Sequence, residues 1–241
     1  MEKADYLDVL EAESDAFLAA VASIPPNALV TSCGDWTIAD LTVHQTEMWG
    51  FATANALGGG ELTRAATKKP DDDSKLFDWS ASVRSTMLEV LLDADPSAPA
   101  YTFAAKDQTA GFWQRRMVAE TVVHRWDAQS ANDNAQPIDP EVAADGIDEY
   151  TQVGLQYSSS RKNRIYPSSS LHLHCTDTEG EWMLTGDDGP SVTVTREHGK
   201  GDAAVRGDAS TLLLWIWGRD AGNVEIFGNA DIATTWRMLA P

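Results

Sequence analysis

The sequence predicts an all-α four-helix bundle followed by a smaller α+β domain with an antiparallel sheet. Three observations predict it. Up to about residue 155 the apolar residues recur at helical spacing, and after Ser158 the chain turns into short alternating segments separated by turn residues. Where the texture changes lies a polar stretch, SSSRKNRIYPSSS, with the composition of a linker. A chain of 241 residues is long enough for two modest domains, and the expected spans are 1–157 and 165–241.

Each element has its own warrant. Tyr6, Leu7, Leu10, Phe17, Leu18 and Val21 form one helical stripe, which stops at Pro25-Pro26. A second helix is expected from near Trp36 to Leu57, before Gly58-Gly59-Gly60. Thr37 can cap it with Asp40 three residues on, and Trp36 and Leu41 are spaced for a hydrophobic staple. The polar connection Gly58–Ser74 is long for an up-down bundle and suits a crossover or a lid. Phe77 to Leu92 fits a third helix closed by Asp95-Pro96, Thr109 to Ala131 a fourth, and Pro140 to Leu155 a further one. In the second part LHLHCTD, EWMLT, SVTVTRE, DAAVRG and NVEIFG read as strands. DASTLLLWIWG and NADIATTWRML read as helices, opened by caps at Asp208 or Ser210 and at Asn229.

Charge and composition narrow the partners. With 37 acidic against 18 basic residues the net charge is −19, and the basic residues are scattered, so neither nucleic acid nor an anionic membrane is an expected partner. No apolar run reaches membrane-spanning length. The acidic, amphipathic start lacks the basic and apolar regions of a signal peptide, which points to the cytoplasm. The two cysteines, Cys33 and Cys175, are far apart and outside any C-x-x-C pattern, so free thiols are expected.

The stretch RMVAETVVHRWDAQSA carries the chemistry. Glu120 and His124 are one helical turn apart and share a face with Asp127. His44 lies on the apolar stripe of the second helix with Leu41, Met48 and Phe51. Were the two helices to face each other, two imidazoles and a carboxylate would meet, a set able to hold Zn²⁺ or Fe²⁺ with an open position. Spacing alone leaves a surface ion pair, a core polar pair and a metal site all open. His172 and His174 alternate in a strand and so share a face, with Cys175 on the other, but the sequence supplies them no third ligand.

Three segments, in chain order, resemble the mycothiol-dependent maleylpyruvate isomerase family, a branch of the DinB-like metalloenzymes. GDWTIADLTVHQTEMW is similar to the family's G-W-T-V-x-D-L-x-x-H segment, and AETVVHRWDAQSA to its H-E-x-x-x-H-R-W-D-A-x-x-A. RGDASTLLLWIWGR with IFGNADIATTW resembles the sterol-carrier-like second domain. Ala119 stands where the family often has a histidine that is not a ligand. The resemblance implies a divalent metal, of which Zn²⁺ is expected, on His44, Glu120 and His124, with mycothiol as co-substrate. Thiolate addition then isomerises a small, anionic cis-unsaturated electrophile, or S-transfer occurs if the adduct persists. It also implies arginines near the metal, for which Arg84 and Arg219 are the positional candidates. The cysteines lie off the metal face, and Arg125, nearly opposite that face, suits pairing with an acid at the domain interface. The other readings are a non-catalytic metal- or lipid-binding protein, expected if Asp40, Glu47 or Asp127 closes the site as a fourth ligand, and a metal-dependent hydrolase using water.

Overall fold

Four long helices build the first part of the chain in the computed structural model, which describes residues 1–58, 68–104 and 106–241. They are α1 (Lys3–Ala22), α2 (Ile38–Ala56), α3 (Leu76–Asp93) and α4 (Ala110–Ser130). α1 packs on α4 and α3, and α2 on α3 and α4. The start of α2 follows from local chemistry: Thr37 Oγ1 accepts from the Asp40 amide at 3.2 Å, and Asp40 Oδ2 accepts from the Thr37 amide at 2.9 Å. Most of the 59–74 connection, expected as a crossover or lid, lies outside the described residues.

α4 is buried on nearly every side, so its polar residues need internal partners. Thr121 accepts from Trp49 Nε1 at 3.1 Å and Gln45 Nε2 at 3.3 Å, which ties α4 to α2. Gln114 donates to the Leu91 carbonyl at 2.9 Å, which ties it to α3. Arg125 donates to Glu13 of α1 at 2.6 Å. Its acid partner is thus a neighbouring helix of the same unit. These bonds hold α4 in a fixed rotation, and that rotation sets where Glu120 and His124 point.

The chain divides into two compact units between Gln136 and Pro137, ahead of the change of texture at Ser158 that suggests a boundary between 157 and 165. In the second unit, α5 (Pro140–Glu149) leads through a π-helical turn (Tyr150–Gly154) into α6 (Leu155–Arg161), so helix runs into the polar segment expected to be linker. α5 packs on α7 (Ala209–Ile216), where Gly146 lets Leu213 come close; a Cβ there would lie 3.1 Å from its side chain. The strands are β1 (Ser170–Cys175), β2 (Glu181–Gly186), β3 (Val192–Thr195), β4 (Ala203–Gly207) and β5 (Glu225–Gly228), and α8 (Ala230–Arg237) closes the chain. As expected, Asp208 and Asn229 cap α7 and α8.

The sheet order is β3-β2-β1-β4-β5, and one pair departs from expectation: β4 lies parallel to β1. The sheet is therefore mixed, and not antiparallel. Alternation along a strand reports which faces are buried and carries no information on a neighbour's direction. A parallel neighbour needs a crossover, and the segment 196–202 makes it from β3 at the edge to β4 on the far side of β1.

Gly186 ends β2 against residues 166–167, where an added Cβ would lie 2.7 Å from the Tyr166 Cβ. Gly186→Ala should therefore cost about 1–3 kcal/mol through overpacking. Urea unfolding measures it, and a midpoint equal to that of the parent chain would show that the backbone gives way freely.

Candidate metal centre

His44 on α2 meets Glu120 and His124 on α4. One ligand atom from each lies within 4.8 Å of the other two. Glu120 Oε1 faces both rings, 3.1 Å from His44 Nε2 and 3.5 Å from His124 Nε2. With metal–ligand bonds of about 2.0–2.1 Å, neighbouring ligand atoms of a tetrahedral zinc site stand roughly 3.3 Å apart. These separations therefore already suit one ion. Glu120 and His124 are buried, whereas the His44 side chain is 32% exposed, so the cluster opens toward solvent on the α2 side.

Partners around the cluster fix its orientation. His124 Nδ1 stands 2.8 Å from Asp127 Oδ2, and Ser32 Oγ donates to Asp127 Oδ1 at 2.6 Å. A carboxylate that accepts from Nδ1–H leaves Nε2 with its lone pair toward Glu120 and His44, the tautomer a metal ligand needs. Arg116, one turn before Glu120, pairs with the other carboxylate oxygen, Oε2. The Trp36 ring lies over both imidazoles, with centroids 4.9 Å from His44 and 6.5 Å from His124.

Electrostatics agree with this arrangement. Burial alone would raise the Glu120 carboxyl, but the Arg116 guanidinium and hydrogen bonds from His124 and His44 hold it well below the usual carboxylate range. Burial alone would lower His124. Hydrogen bonds to Asp127, Cys33 and Glu120 overcome it and hold the imidazole well above the usual histidine range. A proton and a divalent cation answer the same surplus of negative charge and compete for Nε2.

The three expected ligands come together, and the carboxylates expected as a fourth ligand have other surroundings. Asp40 caps α2, Glu47 is exposed, and Asp127 sits on the Nδ1 side of His124. Arg84 falls differently. Arg84 Nε donates to Ser14 Oγ at 2.9 Å, and its Nη2 bonds the Glu11 carbonyl at 3.0 Å and Asp15 at 2.8 Å, all on α1. The guanidinium at Glu120 belongs to Arg116, which the sequence reading missed although its i, i+4 spacing to Glu120 was visible. Arg219 lies in the second unit, where Nη1 donates to the Trp217 carbonyl at 2.7 Å and Cζ lies 5.9 Å over the Trp217 ring.

Cys33 corrects an expectation. Its thiol is not remote from the metal-binding face: it clusters with His124 and Asp127, their ligand atoms lying within 4.8 Å of one another. The helical wheel could not reveal this, because Cys33 sits in the short 3-10 turn Thr31–Cys33 before α2 and on neither helix.

Comparison with known families gives two matches in chain order. The mycothiol maleylpyruvate isomerase N-terminal domain matches residues 7–129, and the C-terminal domain of the same family matches residues 141–237. Neither the curated proteins nor the solved structures give a match to the chain.

Proposed function

Because the chain belongs to the mycothiol maleylpyruvate isomerase family, we propose that it is a metal-dependent enzyme that uses a low-molecular-weight thiol, mycothiol, to isomerise a small anionic cis-unsaturated electrophile. The observation that carries this reading is the convergence of His44 Nε2 and His124 Nε2 on one oxygen of Glu120. Two imidazoles and a carboxylate suit zinc-class ions. A divalent ion held there supplies a Lewis acid that lowers the pKa of a thiol brought to it.

The chain's own residues do the rest. Asp127, itself held by Ser32, fixes the His124 ring. Arg116 restrains the second oxygen of Glu120, and Trp36 gives the cluster an apolar wall. The half-exposed side at His44 is where a thiol and an electrophile enter. The thiolate sulfur adds to one carbon of the cis double bond, the resulting single bond rotates, and the C–S bond breaks to give the trans product and return the thiolate. None of these steps consumes a protein thiol.

The test is thiol dependence together with metal content. Turnover should require both mycothiol and a divalent ion at this site. A persistent sulfur adduct would make the enzyme an S-transferase, and equal turnover with water alone would make it a hydrolase.

Arg219 is the proposed partner of the substrate's negative charge. Arg219→Ala should lower kcat/KM for an anionic substrate by about tenfold, the equivalent of roughly 1.4 kcal/mol, with metal content intact. If kcat/KM is unaltered, the anion is held by another group.

A further inference from the structure

We propose a second divalent-metal site in the second unit, formed by His172, Glu181 and His198 and oriented by His174. The sequence offered His172 and His174 without a third ligand; the fold supplies two more candidates. β1 and β2 pair antiparallel with His174 opposite Glu181, which brings the carboxylate across to the histidine face of β1. The crossover then returns over that face and delivers His198. Gly201 lies against His172, where an added Cβ would be 3.1 Å from the His172 backbone nitrogen.

The donor atoms converge. Glu181 Oε2 lies 3.6 Å from His172 Nε2 and 2.9 Å from His198 Nδ1, and one ligand atom from each of the three lies within 4.8 Å of the others. These spacings bracket the roughly 3.3 Å between neighbouring ligands of a tetrahedral zinc site. The other oxygen, Oε1, stands 2.7 Å from His174 Nδ1, so His174 can hold the carboxylate while Oε2 faces the ion.

Hydrogen bonding alone explains part of this cluster and leaves one atom over. Glu181 is satisfied by His174 and His198. His172 is only 5% exposed, yet its Nε2 has no hydrogen-bond partner among the described residues. A buried polar atom aimed at a carboxylate and a second imidazole calls for a ligand, and two imidazoles with a carboxylate select Zn²⁺ or a neighbouring transition metal over Mg²⁺ or Ca²⁺. His198 is the exposed member, its side chain 81% accessible, so the ion enters from solvent. Once bound, it pins the crossover 196–202 to β1 and β2. This is a structural role, independent of catalysis at the first cluster.

The test is Zn²⁺ binding to the metal-stripped 241-residue chain, followed by calorimetry and by elemental analysis after dialysis. The parent chain should retain two equivalents and His124→Ala one. His198→Ala, at an exposed position that leaves the core intact, should weaken the second equivalent at least about tenfold, and His172→Gln with His198→Ala should abolish it. Zn²⁺ should also raise the unfolding midpoint of the His124→Ala chain, and no longer do so once His198 is replaced. Loss of all zinc from His124→Ala on dialysis would mean an adventitious ion only and would overturn the proposal. So would a second equivalent indifferent to both His172 and His198. Failure of the first centre shows separately, as a parent chain whose zinc does not depend on His124.

Discussion

Replacing His124 by Ala should remove the ion from the first centre and lower kcat/KM by about 1,000-fold or more. Lewis-acid stabilisation supplies several kcal/mol, and each 1.36 kcal/mol is a factor of ten. His124 provides the more buried of the two imidazoles, and Asp127 clamps it from behind with a carboxylate. Loss of His124 also removes the buried hydrogen bond that Asp127 Oδ2 accepts from the ring, which costs stability in its own right. His44→Ala is therefore the companion variant, because His44 is half-exposed and can be removed without opening the core. Both should lose metal and turnover, and His44→Ala should unfold at the parent's midpoint in the metal-free state. Retention of the parent's metal count and rate by both variants would refute the assignment of the centre.

The reasons this centre was legible in the sequence are local. Glu120 and His124 are one turn apart, so any helix through them aligns them, and the Thr37–Asp40 box fixes where α2 starts and hence which way His44 faces. The strands of the second unit and its helices α7 and α8 were legible for the same reason, since turn residues and caps mark their ends, whereas α6 runs through a polar segment with the composition of a linker. What escaped depends on contacts distant in sequence. Arg84 fits a helical position as well as Arg116 does, and only packing on α1 shows that its donors are taken up there. Cys33 belongs to no periodic pattern, and the direction of β4 is set by a crossover that alternation does not encode. His172 is the sharpest case. Its partner Glu181 follows from strand pairing, but His198 arrives on an irregular segment, so no periodic pattern joins them.

Asp127→Asn should weaken metal binding at the first centre by about 10–100-fold while leaving the fold in place. The carboxylate accepts from His124 Nδ1–H on Oδ2 and from Ser32 Oγ on Oδ1. An amide keeps the shape and loses the charge that makes Nε2 a strong donor to a cation. If its NH₂ turns toward Nδ1, the ring must carry its proton on Nε2, where it blocks the ion outright. The same charge supports the raised His124 pKa, so the metal-free variant should lose its imidazolium proton at a lower pH than the parent. That shift, followed by NMR of the His124 ring, separates an electrostatic role from a packing role, because a pure packing change would leave the titration in place. Asp127→Glu retains the charge and should recover part of the affinity. A parent-like zinc Kd in Asp127→Asn would show that His124 is held in its ligand tautomer by something other than Asp127, with the Cys33 thiol the next group to replace.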